Sequence, residues 1–204
     1  MTTTPKLNFT AETWQQLNYM CKRAPTEIGC FAITHPEDRL FVTDLWFPKQ
    51  TCTAATVEFD DEDIAAQIDE LADTHPMDEC FRIWIHTHPG NSANPSGTDE
   101  STFSKVLGHF DWAVMAILAK GGETYARIKH NAPSGISDGK IEYKIPMGMY
   151  SGGYEEWDKI LEDKVTEQTF AHTTHKYPKT YYGQASQLYR DDWYYDTQKE
   201  GKKK

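Results

Sequence analysis

The sequence predicts an α/β domain in which strands alternate with helices, with a C-terminal tail outside the core. Three observations carry this reading. Short apolar runs such as residues 27–34 (EIGCFAIT), 39–47 (RLFVTDLWF) and 112–119 (WAVMAILA) alternate with segments of helical period. Turn-forming residues separate the runs. At 204 residues and 38% hydrophobic content, the chain can bury one core as a single domain with an appended tail.

Taken in order, Thr10 is placed to cap a helix that carries Trp14, Leu17 and Cys21 on one face, a spacing of three then four. Residues 27–34 then read as a strand and 39–47 as its hairpin partner, joined by the turn THPED. A third extended segment, 51–59, follows the break at Pro48. The acidic run Asp60-Asp61-Glu62-Asp63 is best read as a helix start, where carboxylates meet the positive end of the helix dipole. Ile64, Ile68 and Leu71 supply the apolar face behind it. Residues 80–85 form a short strand that ends in two histidines, and Ser96 or Thr98 begins a helix through Leu107. Strands at 112–119, 124–129 and 140–145 complete the pattern.

From about Met147 the composition changes. Gly152-Gly153 leads into a short amphipathic segment (Trp157, Ile160, Leu161, Val165) and then a stretch dense in Tyr, Thr, Asp and Lys. The expected division is a domain over 1–150 and a Tyr-rich extension over 151–204 that either packs on the core or is partly mobile, with truncation near Gly153 leaving a folded core. No internal repeat is present.

The formal net charge of −10 argues against a general binder of phosphate backbones, so no nucleic-acid partner is expected. The N-terminal residues lack the apolar run of a secretory signal, and no stretch approaches a membrane span. Cys21, Cys30, Cys52 and Cys80 show no CxxC pairing and read as buried reduced thiols, which fits a cytoplasmic protein. Oligomeric state is not legible in the sequence.

The chemistry concentrates in RIWIHTHPGNSANPSGTDE, residues 82–100. Side chains at i and i+2 of a strand share a face, so His86 and His88 present two imidazoles side by side, as a metal ion requires. Asp99, at the start of the next helix, supplies a charged third ligand where the dipole favours an ionised carboxylate. Two His and one carboxylate with an open fourth position suit a catalytic zinc rather than a closed structural one. A chain with eight histidines can carry one HxH pair by chance. Pro89, Ser96 and Asp99 at fixed offsets from the pair make chance a poor explanation.

These residues, His86-Thr87-His88-Pro89, then Ser96 and Asp99, resemble the HxHP…SxxD signature of JAMM (JAB/MPN-plus) zinc metalloproteases, of the prokaryotic or viral type. That family also asks for an upstream glutamate followed by a small residue, and Glu27-Ile28-Gly29 matches. The resemblance spans roughly residues 27–145, including the "PKQ…VEFD" segment, and excludes the tail. It implies a JAB/MPN-like fold, a curved mixed β-sheet flanked by helices, with Zn²⁺ held by His86, His88 and Asp99. Glu27 would be the general base for the attacking water, and Ser96 the donor to the oxyanion. It further implies hydrolysis of a peptide or isopeptide bond in a protein substrate with an extended C-terminal tail, such as ubiquitin or a ubiquitin-like protein. The loop 90–97 is consistent with threading such a chain.

Two other classes stay open on the same residues. One is a metal hydrolase with a non-ubiquitin substrate, as in RadC-like proteins. The other is a non-catalytic MPN binding scaffold, which would require a lost ligand. Glu58 is the alternative to Glu27 as base. His172 and His175 are one helical turn apart but sit in the Thr-rich tail, His35 and His75 precede prolines in turns, and Trp84 reads as core.

Overall fold

Thr10 stands in extended backbone, and its hydroxyl accepts the Thr13 N–H at 3.1 Å, so the first helix starts where the sequence asks for a cap. The computed structural model describes residues 4–148 and 150–168. Its elements are β1 (Lys6–Phe9), α1 (Ala11–Arg23), β2 (Gly29–His35), β3 (Asp38–Trp46), β4 (Gln50–Cys52) and β5 (Val57–Phe59). There follow α2 (Asp61–Ala72), α3 (Met77–Cys80), β6 (Ile83–His88), α4 (Gly97–Val106) and β7 (Trp112–Ala119). The last are β8 (Thr124–Ala132), β9 (Gly135–Lys144), α5 (Tyr154–Lys164) and β10 (Val165–Glu167).

Seven strands close into a barrel in the order β1-β3-β2-β6-β7-β8-β9, and a three-stranded sheet follows the order β10-β4-β5. The expectation of a simply curved sheet is therefore corrected. Closure comes from β1, a four-residue strand too short and too polar to read as one, which runs parallel to both β3 and β9. By pairing on both sides it removes the open edges that a curved sheet would leave.

Alternate residues of the central strands feed two clusters, which explains their near-continuous apolar character. Cys30, Ala32, Ile83, Ile85, Val114, Ala116 and Leu118 pack with Leu17, Met20 and Cys21 of α1 and with Trp157 of α5. The opposite set, Phe31, Trp84, Met115 and Ile117, packs with Phe103 of α4 and Leu107, and Ile64, Ile68 and Leu71 of α2 lie against it. Trp84 is thus core, as expected. All four cysteines are buried and free.

Local differences from the sequence reading have physical causes. Residues 51–59 are not one extended segment but β4 and β5, folded back at a turn where Thr53 N–H bonds Thr56 O at 3.0 Å. Residues 77–80 form a helical turn behind Pro76, so the histidine strand starts only at Ile83. The described part of the expected extension, residues 150–168, packs on the core: Trp157 is 4% exposed within the core cluster and β10 pairs with β4.

The arrangement that positions chemistry is β6–α4–β7. β6 and β7 are parallel neighbours, with Ile83 across from Val114 and His88 across from Ala119, and α4 is the crossover between them. The carboxyl end of β6 and the N-terminus of α4 therefore meet, the usual place for a site in an α/β sheet.

Candidate metal centre

His86 and His88 close β6 on the same face as Trp84, whose ring stacks on that of His86 at 4.3 Å. His86 is fully buried and His88 lies at the rim. From His88 the chain leaves through the loop 89–96, which packs on the β7–β8 turn. Lys120 N–H bonds the His88 carbonyl at 2.8 Å, Gly121 N–H that of Gly90 at 3.2 Å, and Ala93 N–H a Glu123 carboxylate oxygen at 3.1 Å.

The loop ends in a capping box. Ser96 Oγ accepts the Asp99 N–H at 3.2 Å, and Asp99 Oδ2 accepts the Ser96 N–H at 2.6 Å. This reciprocal pair orients the Asp99 carboxylate and leaves Oδ1 facing His86 Nε2 at 3.2 Å. The two Nε2 atoms lie 3.3 Å apart, and His88 Nε2 is 3.6 Å from Asp99 Oδ2. Four-coordinate zinc with bonds of 2.0–2.1 Å has ligand-to-ligand edges of about 3.3 Å. One donor atom from each of the three residues lies within 4.8 Å of the others, close enough to share such an ion.

The ring orientation suits the fit. His88 Nδ1 lies 2.9 Å from the Ser92 carbonyl, which can only accept, so Nδ1 carries a proton and Nε2 points into the site. Burial holds His86 below the ordinary imidazole value, against the pull of Asp99, so that ring is neutral. Burial alone would raise Asp99, but hydrogen bonds from His86 and His88 outweigh it and hold the carboxyl well below the usual range. In the metal-free chain the hydrogen bond with Asp99 raises His88 above the ordinary imidazole value, against burial. A bound cation would displace the Nε2 protons and meet two imidazoles and one carboxylate, a set that suits a borderline ion.

Glu27 precedes β2 by two residues. Gly29 lies across from His86, and continuing that register sets Glu27 across from His88. Its Oε1 is 3.8 Å from His88 Nε2, and the residue is 6% exposed. Burial pushes this carboxyl up to about 7, with His88 pulling it down and Asp99 adding to the rise. Gly29 is required here, because a Cβ would lie 2.6 Å from Phe59 Cζ and 3.0 Å from Val57 Cγ1.

The family profile for prokaryotic homologs of the JAB domain matches residues 12–129, more than half of the chain. The chain belongs to the Prok-JAB family. No curated protein matches it. Among solved structures, a solution structure from Desulfitobacterium hafniense is 16% identical over 68% of this chain and 93% of that one, with a TM-score of 0.41. The crystal structure of a JAB1/MPN domain protein from Archaeoglobus fulgidus is 15% identical over 67% of this chain and 97% of that one, with a TM-score of 0.36.

In this Prok-JAB domain the metal triad expected from sequence, His86, His88 and Asp99, is brought together, with all ligand atoms within 4.8 Å of one another. Glu27 lies beside the triad and Ser96 is bonded to one of its members. Glu58 does not join them. It is exposed on β5, on the face opposite Phe59, and lines a surface depression with Asp60, Asp163 and Lys164. His35 and His75 are half-buried at turns outside the triad, and His172 and His175 lie outside the described residues. Sequence reasoning missed Gln50, Thr87, Ser92 and Glu123, which act on the site through backbone groups. Only Thr87 left a signal, as a polar residue on the strand face whose other members are Ile83 and Ile85. No helix among the described residues is long and apolar enough to cross a membrane.

Proposed function

We propose that this Prok-JAB protein is a zinc-dependent peptidase of the JAMM type that hydrolyses a peptide or isopeptide bond, with a ubiquitin-like conjugate as the substrate class. The observation that carries the reading is the pairing of a metal-competent His86–His88–Asp99 triad with a buried carboxylate 3.8 Å from it. A binding scaffold has no use for that pairing.

When bound by the triad, Zn²⁺ supplies a water whose pKa is lowered to about 7 and polarises the scissile carbonyl. The chain does the rest. Glu27, raised toward neutrality by burial, takes the proton of the attacking water and passes it to the departing amine, lysine Nζ in an isopeptide. Ser96 Oγ uses a lone pair for the Asp99 N–H, so its own proton remains free to donate to the developing oxyanion. Thr87 and Ser92 hold Glu27's strand and the His88 ring against drift, through the Ile28 N–H at 3.1 Å and His88 Nδ1 at 2.9 Å.

The deciding experiment uses a panel of lysine-isopeptide and linear-peptide substrates with the zinc-loaded chain. Glu27→Gln should retain zinc and lose hydrolysis, because an amide cannot accept the water's proton. Hydrolysis surviving in that variant would remove Glu27 from the reaction, and no cleavage of any substrate by the unaltered chain would reject the peptidase reading.

A further inference from the structure

Glu27 acts from a segment that the main sheet does not hold on one side. Pairing of β2 with β3 ends at Phe31 across from Trp46. Continuing that register by two residues sets Pro48 across from Gly29, and proline has no N–H to offer. On the other side the segment is tied to β6, where Thr87 N–H bonds Ile28 O at 2.9 Å and Ile28 N–H bonds Thr87 Oγ1 at 3.1 Å. Successive residues of a strand turn their backbone groups to opposite sides, so Gly29 N–H and C=O face the missing partner. Left alone, both groups would be buried without a hydrogen bond.

Gln50 fills this gap. Gly29 N–H donates to Gln50 Oε1 at 2.7 Å, and Gln50 Nε2 donates to Gly29 O at 2.8 Å and to Pro48 O at 3.0 Å. The residue is 3% exposed, and Cys52 Sγ adds a contact to the same oxygen at 3.3 Å. Next to it, Glu27 N–H is bonded by Thr53 O at 2.9 Å, at the end of the same short strand. A primary amide is the side chain suited to this place, since it offers an acceptor and two donors on one planar head.

We propose that Gln50 is a positioning residue for Glu27, its side-chain amide standing in for the strand partner that Gly29 lacks and thereby fixing the backbone that aims the carboxylate at the metal centre. The proposal rests on the reading of Glu27 as the base. Gln50 bonds Gly29, Pro48 and Cys52 and none of His86, His88 and Asp99, so its loss should act on the rate of the chemical step rather than on zinc binding. A displacement of the base by about 1 Å is enough to lower kcat by tenfold to a hundredfold.

The test uses the full zinc-loaded chain on the lysine-isopeptide panel, with zinc content and amide exchange at Gly29 and Glu27 measured alongside. Gln50→Met keeps the volume and removes every hydrogen bond. Gln50→Glu keeps the acceptor for the Gly29 N–H and removes the donors. Both should keep zinc and a KM within about twofold while kcat falls about tenfold or more, and Gly29 exchange should quicken most in Gln50→Met. In a Glu27→Gln background, Gln50→Met should cost nothing further, because a positioning residue has no effect once the group it positions is gone. Unchanged kcat in either folded variant, loss of zinc in parallel with kcat, or an equal loss in the Glu27→Gln background would overturn the proposal. Should Gln50→Met fail to fold, Gln50→Glu decides. A Glu27→Gln variant with full kcat would reject the base itself and this proposal with it, whereas additive losses reject the role of Gln50 alone.

Discussion

A buried carboxyl held near 7 has a cost that depends on pH, and Glu27 makes this measurable in the metal-free chain. Its folded value lies above the ordinary 4.5, so its favourable contribution is complete below that value and is lost as pH rises through about 7. Glu27→Gln cannot ionise. The unaltered metal-free chain should therefore lose stability relative to Glu27→Gln between about pH 4.5 and 7, as read by urea unfolding in the presence of chelator. A difference that stays flat across this window would mean that the carboxyl is solvated. Ser96 has two separable duties. Ser96→Ala should lower stability by about 1 kcal/mol through loss of the cap. It should also reduce kcat roughly a hundredfold with substrate affinity little changed. Zinc content should hold, because the bond from residue 96 to Asp99 Oδ2 is a backbone N–H. An unchanged kcat would pass the oxyanion role to a backbone amide. The triad was legible in sequence because strand periodicity and helix-start chemistry are local rules. Gln50 was not, because its partners are backbone groups 21 residues away at Gly29.

At the scale of elements, α5 and β10 take the packed alternative that the sequence left open for this segment. The amphipathic spacing of Trp157, Ile160, Leu161 and Val165 was visible, but not the surface it covers, and a three-residue strand such as β10 gives no periodic signal. In the fold, Trp157 is 4% exposed and packs on Tyr19 with ring centroids 5.6 Å apart. Gly153, at φ 72°, admits the indole so closely that a Cβ there would lie 2.7 Å from it. Lys164 Nζ reaches both oxygens of Asp63 at 3.1 and 3.2 Å, tying the end of α5 to the start of α2. Truncation after Gly153 should therefore abolish cooperative unfolding, and Trp157→Ala should cost about 3–5 kcal/mol by thermal or urea denaturation. A truncated chain that unfolds with the full chain's midpoint would return these residues to the status of an appendage. Asp63 offers a finer probe. Burial raises its carboxyl, but the Lys49 amide, Lys164 and Gln67 outweigh that and hold it below 3.8. Its stabilising contribution is present above 3.8 and lost as pH falls through its lowered value. Asp63→Asn should thus be less sensitive to acid below about pH 4 than the unaltered chain.

Across the whole molecule, fold class and helix-to-strand order followed from alternation and capping, while closure of the barrel depended on β1. Four residues, two of them polar, cannot announce a strand that runs parallel to partners more than thirty and more than a hundred positions away. β2, which Glu27 precedes, and β6, which carries the histidines, each lie between two neighbouring strands, and the Gln50 amide holds Gly29 where β2 loses its pairing with β3. The fold thus brings together two imidazoles from a strand end, a carboxylate from a capped helix start and the Glu27 carboxyl from the segment entering the adjoining strand. The central claim is that His86, His88 and Asp99 hold one catalytic metal ion. Elemental analysis of the purified full chain, after chelator stripping and reloading with Zn²⁺, tests it most directly. The account predicts about one zinc per chain for the unaltered protein and for Glu27→Gln, and loss of most of it in His88→Ala. Full zinc retained by His88→Ala would contradict it.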